Sequence, residues 1–474
     1  MMRAAHLTAA LMAALACACP PVVAPPRRLQ AGGNDPTPAA PGCAADATAD
    51  GTVDVSDLLF LLATFGQECT AVPGPCDAAD TTGDGVVDVS DLLACLAAFG
   101  QQCGLPGGSV WITGMHEPGT ATVGHREQLV GNLHRPVQLT VLGDDNAGAA
   151  AGNAFAFVLK TDGRVLGFGS NYYGQLADGT TTDRYAEPVE LSSLGRDAVE
   201  LACGAAHSLA LLRSGQILAW GMGGNGQLGQ GTTDDLHTPT PVAALGTDND
   251  HVSAGAFHSA AGKRAGAIFV WGGNGLGQVG DGTRDDRPLP VEVTTAGGNV
   301  RVACGGRHTL LLKADGGVMA WGDDVHGQCG TGDDAVTFVT TPRTVGGLPP
   351  VTRISVGKST SYALARDGAV WAWGHQGYGA VGDGGWTNAA LPTRIAGYPV
   401  DAGQSFGAGG SSSNHAMVLQ PDGSVFGCGR NDHGQMGNGE VLQNVMEATR
   451  LPLGSDNRDV ARGLYHTILL RRGG

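Results

Sequence analysis

One spacing constrains this chain more than any other feature. From residue 104 onward a Gly recurs with a period near 52, at Gly114, Gly169, Gly221, Gly272, Gly322, Gly374 and Gly429. Phe168, Trp220, Trp271, Trp321 and Trp373 precede five of these, while Thr113 and Cys428 precede the other two. Five residues further on stands a second Gly: Gly119, Gly174, Gly226, Gly277, Gly327, Gly379 and Gly434, followed by Gln in five of the seven repeats. A third column lies 14 residues ahead of the first, at Phe155, His207, His258, His308, Thr360 and His415. Gly114 has no such partner, and His466 has no Gly after it. The last repeat is therefore expected to be completed from both ends of the segment.

Between the columns run two short alternating stretches joined by Asp162-Gly163, Asp315-Gly316, Asp367-Gly368 or Asp422-Gly423, which is hairpin chemistry. With 78 Gly and only 5 % aromatic residues, the chain is built for tight turns and short strands. About 50 residues of short strands make one four-stranded propeller blade. The expectation over 104–474 is an all-β seven-bladed β-propeller whose last blade is closed by both termini, leaving no exposed sheet edge between blades.

The spelling Trp-Gly-x-Asn/Gly-x-x-Gly-Gln-Leu-Gly, with His 14 residues ahead of the first Gly, resembles the repeat of the regulator of chromosome condensation family. The resemblance covers residues 108–472 and is clearest around Trp220, Trp271 and Trp321. Departures are Thr113 and Cys428 for the aromatic residue, Ala380 for Gln, and Phe155 and Thr360 for His; none breaks the period. The resemblance implies a seven-bladed ring and a binding role. Nucleotide exchange on a small GTPase, an activity of some members, is a weaker implication, since fold alone does not carry function.

The first 103 residues read differently. Arg3, the apolar stretch Leu7 to Ala18 and the Ala16-Cys17-Ala18 site form an export signal over 1–18, with lipidation of Cys17 or Cys19 as the rival reading. Residues 19–42 form a Pro-rich extended linker. Residues 43–103 contain ten Asp or Glu and no Lys, Arg or His. The acids fall into two copies 34 residues apart: Asp46, Thr48, Asp50, Thr52, Asp54 and Asp57, then Asp80, Thr82, Asp84, Val86, Asp88 and Asp91. These are positions 1, 3, 5, 7, 9 and 12 of a calcium loop, with Gly51 and Gly85 at the turn and the backbone carbonyls of Thr52 and Val86 as ligands. An apolar helix is expected after each loop, and two calcium ions are the implied cofactor. The tandem loop–helix pattern resembles a dockerin module, a small α-helical domain that plugs into a cohesin. That resemblance makes Val55, Ser56, Val89 and Ser90 the partner-selecting positions and a cohesin-like protein the partner. Cys43, Cys69, Cys76 and Cys103 bracket the copies. Sequence does not fix their pairing; Cys43–Cys69 and Cys76–Cys103 are the favoured staples.

Charge and motifs bound the function. A net charge of −16, with four Lys in the whole chain, excludes general nucleic-acid binding, which needs clustered cations. No apolar run of membrane-spanning length follows the signal. The periodic His residues are expected to tie strand backbone within their own blades. Gly403-Gln404-Ser405-Phe406-Gly407 spells a nucleophile elbow without the strand-to-helix turn that motif needs. Gly221 to Gly226 spells a dinucleotide fingerprint but is the repeat itself. Cys203, Cys304, Cys329 and Cys428 lack zinc spacing and are expected in the core. Asp178, Asp281 and Asp383 are the carboxylates a glycosidase would draw on, but they occupy corresponding turns of different blades. The two longest repeats carry Asp144-Asp145-Asn146-Ala147-Gly148 and Gly409-Gly410-Ser411-Ser412-Ser413, expected to be mobile loops open to a partner. The expected function is an exported, non-catalytic binding or scaffold protein whose propeller meets a protein or glycan. The alternative is a carbohydrate-active enzyme or accessory subunit of polysaccharide breakdown.

Overall fold

The 14-residue offset is a strand register. His207 pairs across from Gly221, His258 from Gly272, His308 from Gly322 and His415 from Gly429. The Gly in each pair has φ between 95° and 112°, a conformation that L side chains rarely adopt. A Cβ there would also meet main chain: at Gly322 it would lie 2.5 Å from the Arg307 carbonyl oxygen. Position and residue type are thus fixed together.

The computed structural model describes residues 108–114 and 133–472, apart from 296–297, 334, 401–404, 410–412 and 441–442. The expectations on residues 1–103 lie outside these: the leader, the linker, the calcium loops from Asp46 to Asp91, the docking positions and the four bracketing cysteines. Within the described residues the fold is all-β, with seven sheets, antiparallel apart from the short strand Ala408–Gly409 added in parallel to one of them, and three short 3-10 turns. Blades 1 to 6 span 146–190, 198–241, 249–292, 299–344, 351–394 and 405–450, each running from its innermost to its outermost strand. Blade 7 takes its two inner strands from Asn457–Arg462 and His466–Arg471, and its two outer strands from Val110–Gly114 and Leu133–Gln138. Val110 pairs with Leu470, Thr113 with Thr467, and Gly114 with His466. The unmatched Gly and the unmatched His are partners.

Apolar side chains fill the spaces between adjacent sheets, with Trp220, Trp271, Trp321 and Trp373 fully buried among them. Outermost strands carry Pro in six of the seven blades, as at Pro136, Pro188, Pro239, Pro290, Pro342 and Pro392. Proline removes a backbone donor and so blunts an edge against further strand addition. Among the described residues no helix is long and apolar enough to cross a membrane. Asn146, expected in a mobile loop, is instead buried at the start of the innermost strand of blade 1; Asp145 beside it is ion-paired to Lys160. Ser405–Phe406 is a two-residue strand, and Phe406 packs near Tyr362 with ring centroids 6.0 Å apart.

Antiparallel alternation gives the ring two distinct faces. Turns between the first and second strands, and between the third and fourth, lie on one face, the loop face. Turns between the second and third strands, the hairpins with Asp-Gly, Ser-Gly or Ala-Gly at the bend, lie on the other. In blade 7 the second strand ends at Arg471 and the third begins at Val110. The two ends of the ring therefore take the place of a hairpin. Asn249, Asn299 and Asn457 donate to the hairpin carbonyls of Gly215, Gly266 and Gly423 in the preceding blade, at 2.7, 2.6 and 2.9 Å. Asn146 makes the same contact to Gly108 at 2.7 Å, which fastens the entering chain. Deleting residues 464–474 removes the fully buried Ile468, Leu469 and Leu470. At about 1.5–3 kcal/mol for each buried side chain, the loss rivals a domain's whole stability of about 5–15 kcal/mol. The truncated chain is expected to lose its cooperative melt in differential scanning calorimetry.

Candidate interaction face

The repeated side chains serve the ring, and they act between blades rather than within them. Ser259 of blade 3 donates its hydroxyl proton to the Gln227 carbonyl of blade 2 at 2.8 Å. With that proton committed, the 2.9 Å contact from His207 to Ser259 needs Nε2–H of the imidazole as donor. His258, Thr309 and Gln278 repeat the arrangement, as do His308, Ser361 and Gln328, and His415, Thr467 and Gln435. The same Gln carbonyls accept the indole N–H groups of Trp271, Trp321 and Trp373 at 2.9 Å, and Gln175 accepts that of Trp220 at 2.8 Å. The Gln side chain closes its own loop, Gln227 Oε1 accepting from the Asn225 N–H at 2.8 Å. The expectation that each His ties its own blade is thus corrected: the partner hydroxyl lies about one repeat further along the chain.

One interface departs from this scheme in all four members at once. Between blades 5 and 6 stand Thr360, Ala380, Ala416 and Cys428, where the three seams from blade 2 to blade 5 have His, Gln, Ser or Thr, and Trp. Tyr362 Oη donates to the Ala380 carbonyl at 2.7 Å, taking over the indole's bond. Tyr398, 3.4 Å from Cys428 Sγ, helps to fill the volume a Trp would occupy. The buried guanidinium of Arg462 in blade 7 bonds Ser355 Oγ of blade 5 and the His415 carbonyl of blade 6, at 2.9 and 2.8 Å.

The side chains with chemical potential are otherwise engaged. Cys203, Cys304, Cys329 and Cys428 are buried free thiols; burial raises them all, Cys304 to about 12 and Cys428 to about 11. Burial opposes ionisation of Asp178, but Thr180, Arg184 and Asn171 outweigh it and hold the carboxyl below its ordinary value. Asp281 is held in the same way by Thr283 and Arg287. Asp383 accepts from Gln376 Nε2 and the Gly385 N–H at 2.5 and 2.8 Å. Each acid staples its own loop, and the three form no facing pair.

The non-repeating positions lie on the loop face. The residue before the column His runs Ala154, Ala206, Phe257, Arg307, Ser359, Asn414, Tyr465, and the residue before the second Gly runs Tyr173, Asn225, Leu276, His326, Tyr378, His433. Across blades 4 to 7 these build a continuous belt. The rings of His326 and His375 meet at a tilt of 54° with centroids 4.5 Å apart, and His375 lies 6.0 Å from Tyr378. Arg430 sits between Tyr378 and Tyr465, at 5.0 and 4.8 Å from the ring centroids. His433 meets Tyr465 at a tilt of 39°, with ring centroids 4.6 Å apart. Asp432 joins the belt through Arg430 and His433 at 2.6 Å each; these partners outweigh burial and hold its carboxyl below the ordinary range. Burial, then His326 and Lys358, push the His375 imidazole down. Next to the belt, blades 2 to 4 border an open, shallow cleft of about 510 Å³ whose lining includes Phe257, Leu276, Asn225, Asp286 and Arg307. Period matching passed over both features, because they occupy what the repeats do not share.

A family model described as the RCC1-like domain matches residues 105–413, and one for the regulator of chromosome condensation (RCC1) repeat matches 422–470. The chain belongs to the RCC1-like domain family. It is 32 % identical to the ultraviolet-B receptor UVR8 of Arabidopsis thaliana over 59 % of this chain and 63 % of that protein. It is 30 % identical to the human E3 ubiquitin-protein ligase HERC2 over 70 % of this chain but 7 % of the ligase. The chain thus spans less than two thirds of either relative. Among solved structures, human WBSCR16 matches with a TM-score of 0.67 at 23 % identity, over 77 % of this chain and 99 % of the other. Prp20p of Saccharomyces cerevisiae, whose binding to Gsp1p and histones has been studied, matches with a TM-score of 0.67 at 20 % identity, over 78 % and 92 %. At those identities the likeness is one of fold.

The imidazole ties of this RCC1-like ring have a pH consequence. Burial drives His207, His258 and His308 from the ordinary 6.5 down to about 3 and His466 to about 4, and it is the main cause holding His415 well below its ordinary value. The folded ring keeps these groups neutral while the unfolded chain takes up protons below pH 6.5. Their stabilisation is therefore complete above that value and is lost as the pH falls from 6.5 toward 3. Each group adds about 1.4 kcal/mol per pH unit to the slope in that window. His258→Ala should cost about 1–3 kcal/mol at pH 8 and make the acid slope shallower by one proton. Urea titrations between pH 8 and 4 measure both.

Proposed function

We propose that this chain is an exported, non-catalytic binding protein whose propeller offers its loop face to a macromolecular partner, a protein or a glycan. The observation that carries the reading is the division of labour among the repeat positions. Column residues are consumed in ties between blades, and the variable positions beside them collect Tyr, His and Arg on one face. Four of the seven Tyr of the chain, Tyr172, Tyr173, Tyr378 and Tyr465, lie in these loops. Tyrosine and arginine are the residues on which binding surfaces most often depend. The neutral, tied histidines, the raised thiols and the stapled acids support a role without catalysis.

Residues 43–103 give this binding protein its attachment. Two calcium ions neutralise part of their −10 charge and order the two loops, and the loaded module docks into a cohesin-like partner through Val55, Ser56, Val89 and Ser90. This part of the reading rests on the ordered spacing of the acids alone.

Two experiments test the proposal on the full chain. In affinity capture from envelope extract, Tyr378→Ala/Tyr465→Ala should lose the partner, while Arg264→Glu/Arg366→Glu on the hairpin face should keep it. Equal capture by both variants would remove the loop face from the reading. Isothermal titration with calcium should find two sites, both lost in Asp50→Asn/Asp84→Asn; unchanged calcium binding there would discard the tether.

A further inference from the structure

We propose that the loop face of blades 3 to 5 is a docking site for an acidic peptide segment, with Arg307 and Lys358 as its carboxylate readers and the Phe257–Leu276 cleft as the seat of an apolar anchor. This deepens the preceding reading and rests on the loop face being the interaction face.

The argument starts from the scarcity of lysine. The chain has four, in a protein of net charge −16. Lys160 and Lys263 pair with Asp145 and Asp248 and also bond the carbonyls of Leu142 and Leu245. Lys313 bonds Asn299 Oδ1 at 3.3 Å. All three brace the hairpin side of their blades. Lys358 is on the loop face, exposed, and none of the described residues forms an ion pair with it. Arg307, on the equivalent loop of blade 4 but one position further along it, is likewise exposed and outside every ion pair among the described residues. The two loops touch, the Gly306 N–H donating to the Lys358 carbonyl at 3.1 Å. Behind them stand His326 and His375, and the Lys358 charge is felt at His375. An acidic protein that spends its other lysines on internal bonds thus holds two unspent cations side by side on one face.

The second observation is the cleft that meets them. Arg307 lines its blade 4 side, while Phe257 and Leu276 supply apolar wall. Asp286 also lines the cleft and Asp323 belongs to a neighbouring loop, but main-chain N–H groups of Asn274 and Val325 engage them at 2.7 and 3.2 Å. The site joins an apolar seat to a paired positive edge. A segment with a bulky apolar side chain flanked by Glu or Asp complements both halves at once. A polysaccharide polyanion would satisfy the edge and leave the apolar seat unused, which makes the peptide the favoured ligand.

The probe is a fluorescein-labelled peptide of alternating Glu and Leu with a central Phe, set against the same peptide with Gln for Glu. Fluorescence anisotropy of the full chain should show saturable binding of the acidic peptide and at least about tenfold weaker binding of the Gln form. Arg307→Glu/Lys358→Glu should weaken the acidic peptide by about tenfold or more at an unchanged melting temperature. The equal charge change Arg264→Glu/Arg366→Glu on the hairpin face should have little effect. Phe257→Ala should weaken both peptides. Equal loss in the two charge variants, or equal affinity for the two peptides, overturns the proposal, as does binding of polygalacturonate without binding of the peptide. If capture of the natural partner still depends on Tyr378 and Tyr465 while the peptide fails, the acidic-peptide assignment falls and the interaction face stands.

Discussion

Three successive seams, from blade 2 to blade 5, turn on one carbonyl oxygen each. At each of them a Gln carbonyl accepts from an indole and a hydroxyl of the next blade, and the hydroxyl accepts from the imidazole of the first. Four groups that would be costly to bury alone satisfy one another through three bonds, and each bond crosses the seam between sheets. Apolar packing supplies most of the burial, but it is non-directional. The relay fixes how far one sheet is rotated from the next, so it bears on whether seven blades close. It also leaves a cost in place: His207, His258 and His308 each keep Nδ1 buried without a partner, which commits them to the neutral state.

The exception shows what the relay is worth. At the seam of blades 5 and 6 all four members change together, and Tyr362, Tyr398 and Arg462 replace both the volume and the bonds. In the sequence these read as isolated departures at Thr360, Ala380 and Cys428. In space they are one exchange, compensated by residues that no column contains. The irregular seam also adjoins an irregular strand: Ala408–Gly409 leaves its own sheet and pairs in parallel with the innermost strand of blade 7.

Much of the fold was legible because the repeat is imposed by backbone geometry. A positive-φ Gly opposite a His must recur wherever the hairpin recurs, so counting the columns sufficed to place Gly114 against His466. The direction of the His ties was not legible, since it depends on which sheet becomes the neighbour and on a hydroxyl about 52 residues away. Asn146 was misread for a related reason: an Asp-Asp-Asn run looks like a loop until the hairpin carbonyl it serves is in view. The belt of His326, Tyr378, Arg430 and Tyr465 has no signature in the period, because it is built from positions at which the repeats differ. Those differences are where a repeat protein keeps its specificity.

The way the ring is closed also sets a direction. Because the two ends of the ring replace a hairpin, the polypeptide enters the propeller at Gly108 on the side away from Arg307, Tyr378 and Tyr465. A label or surface linkage placed at that break, on Gly108 or Arg471, leaves the loop face open, as a dish held by its back keeps its bowl clear.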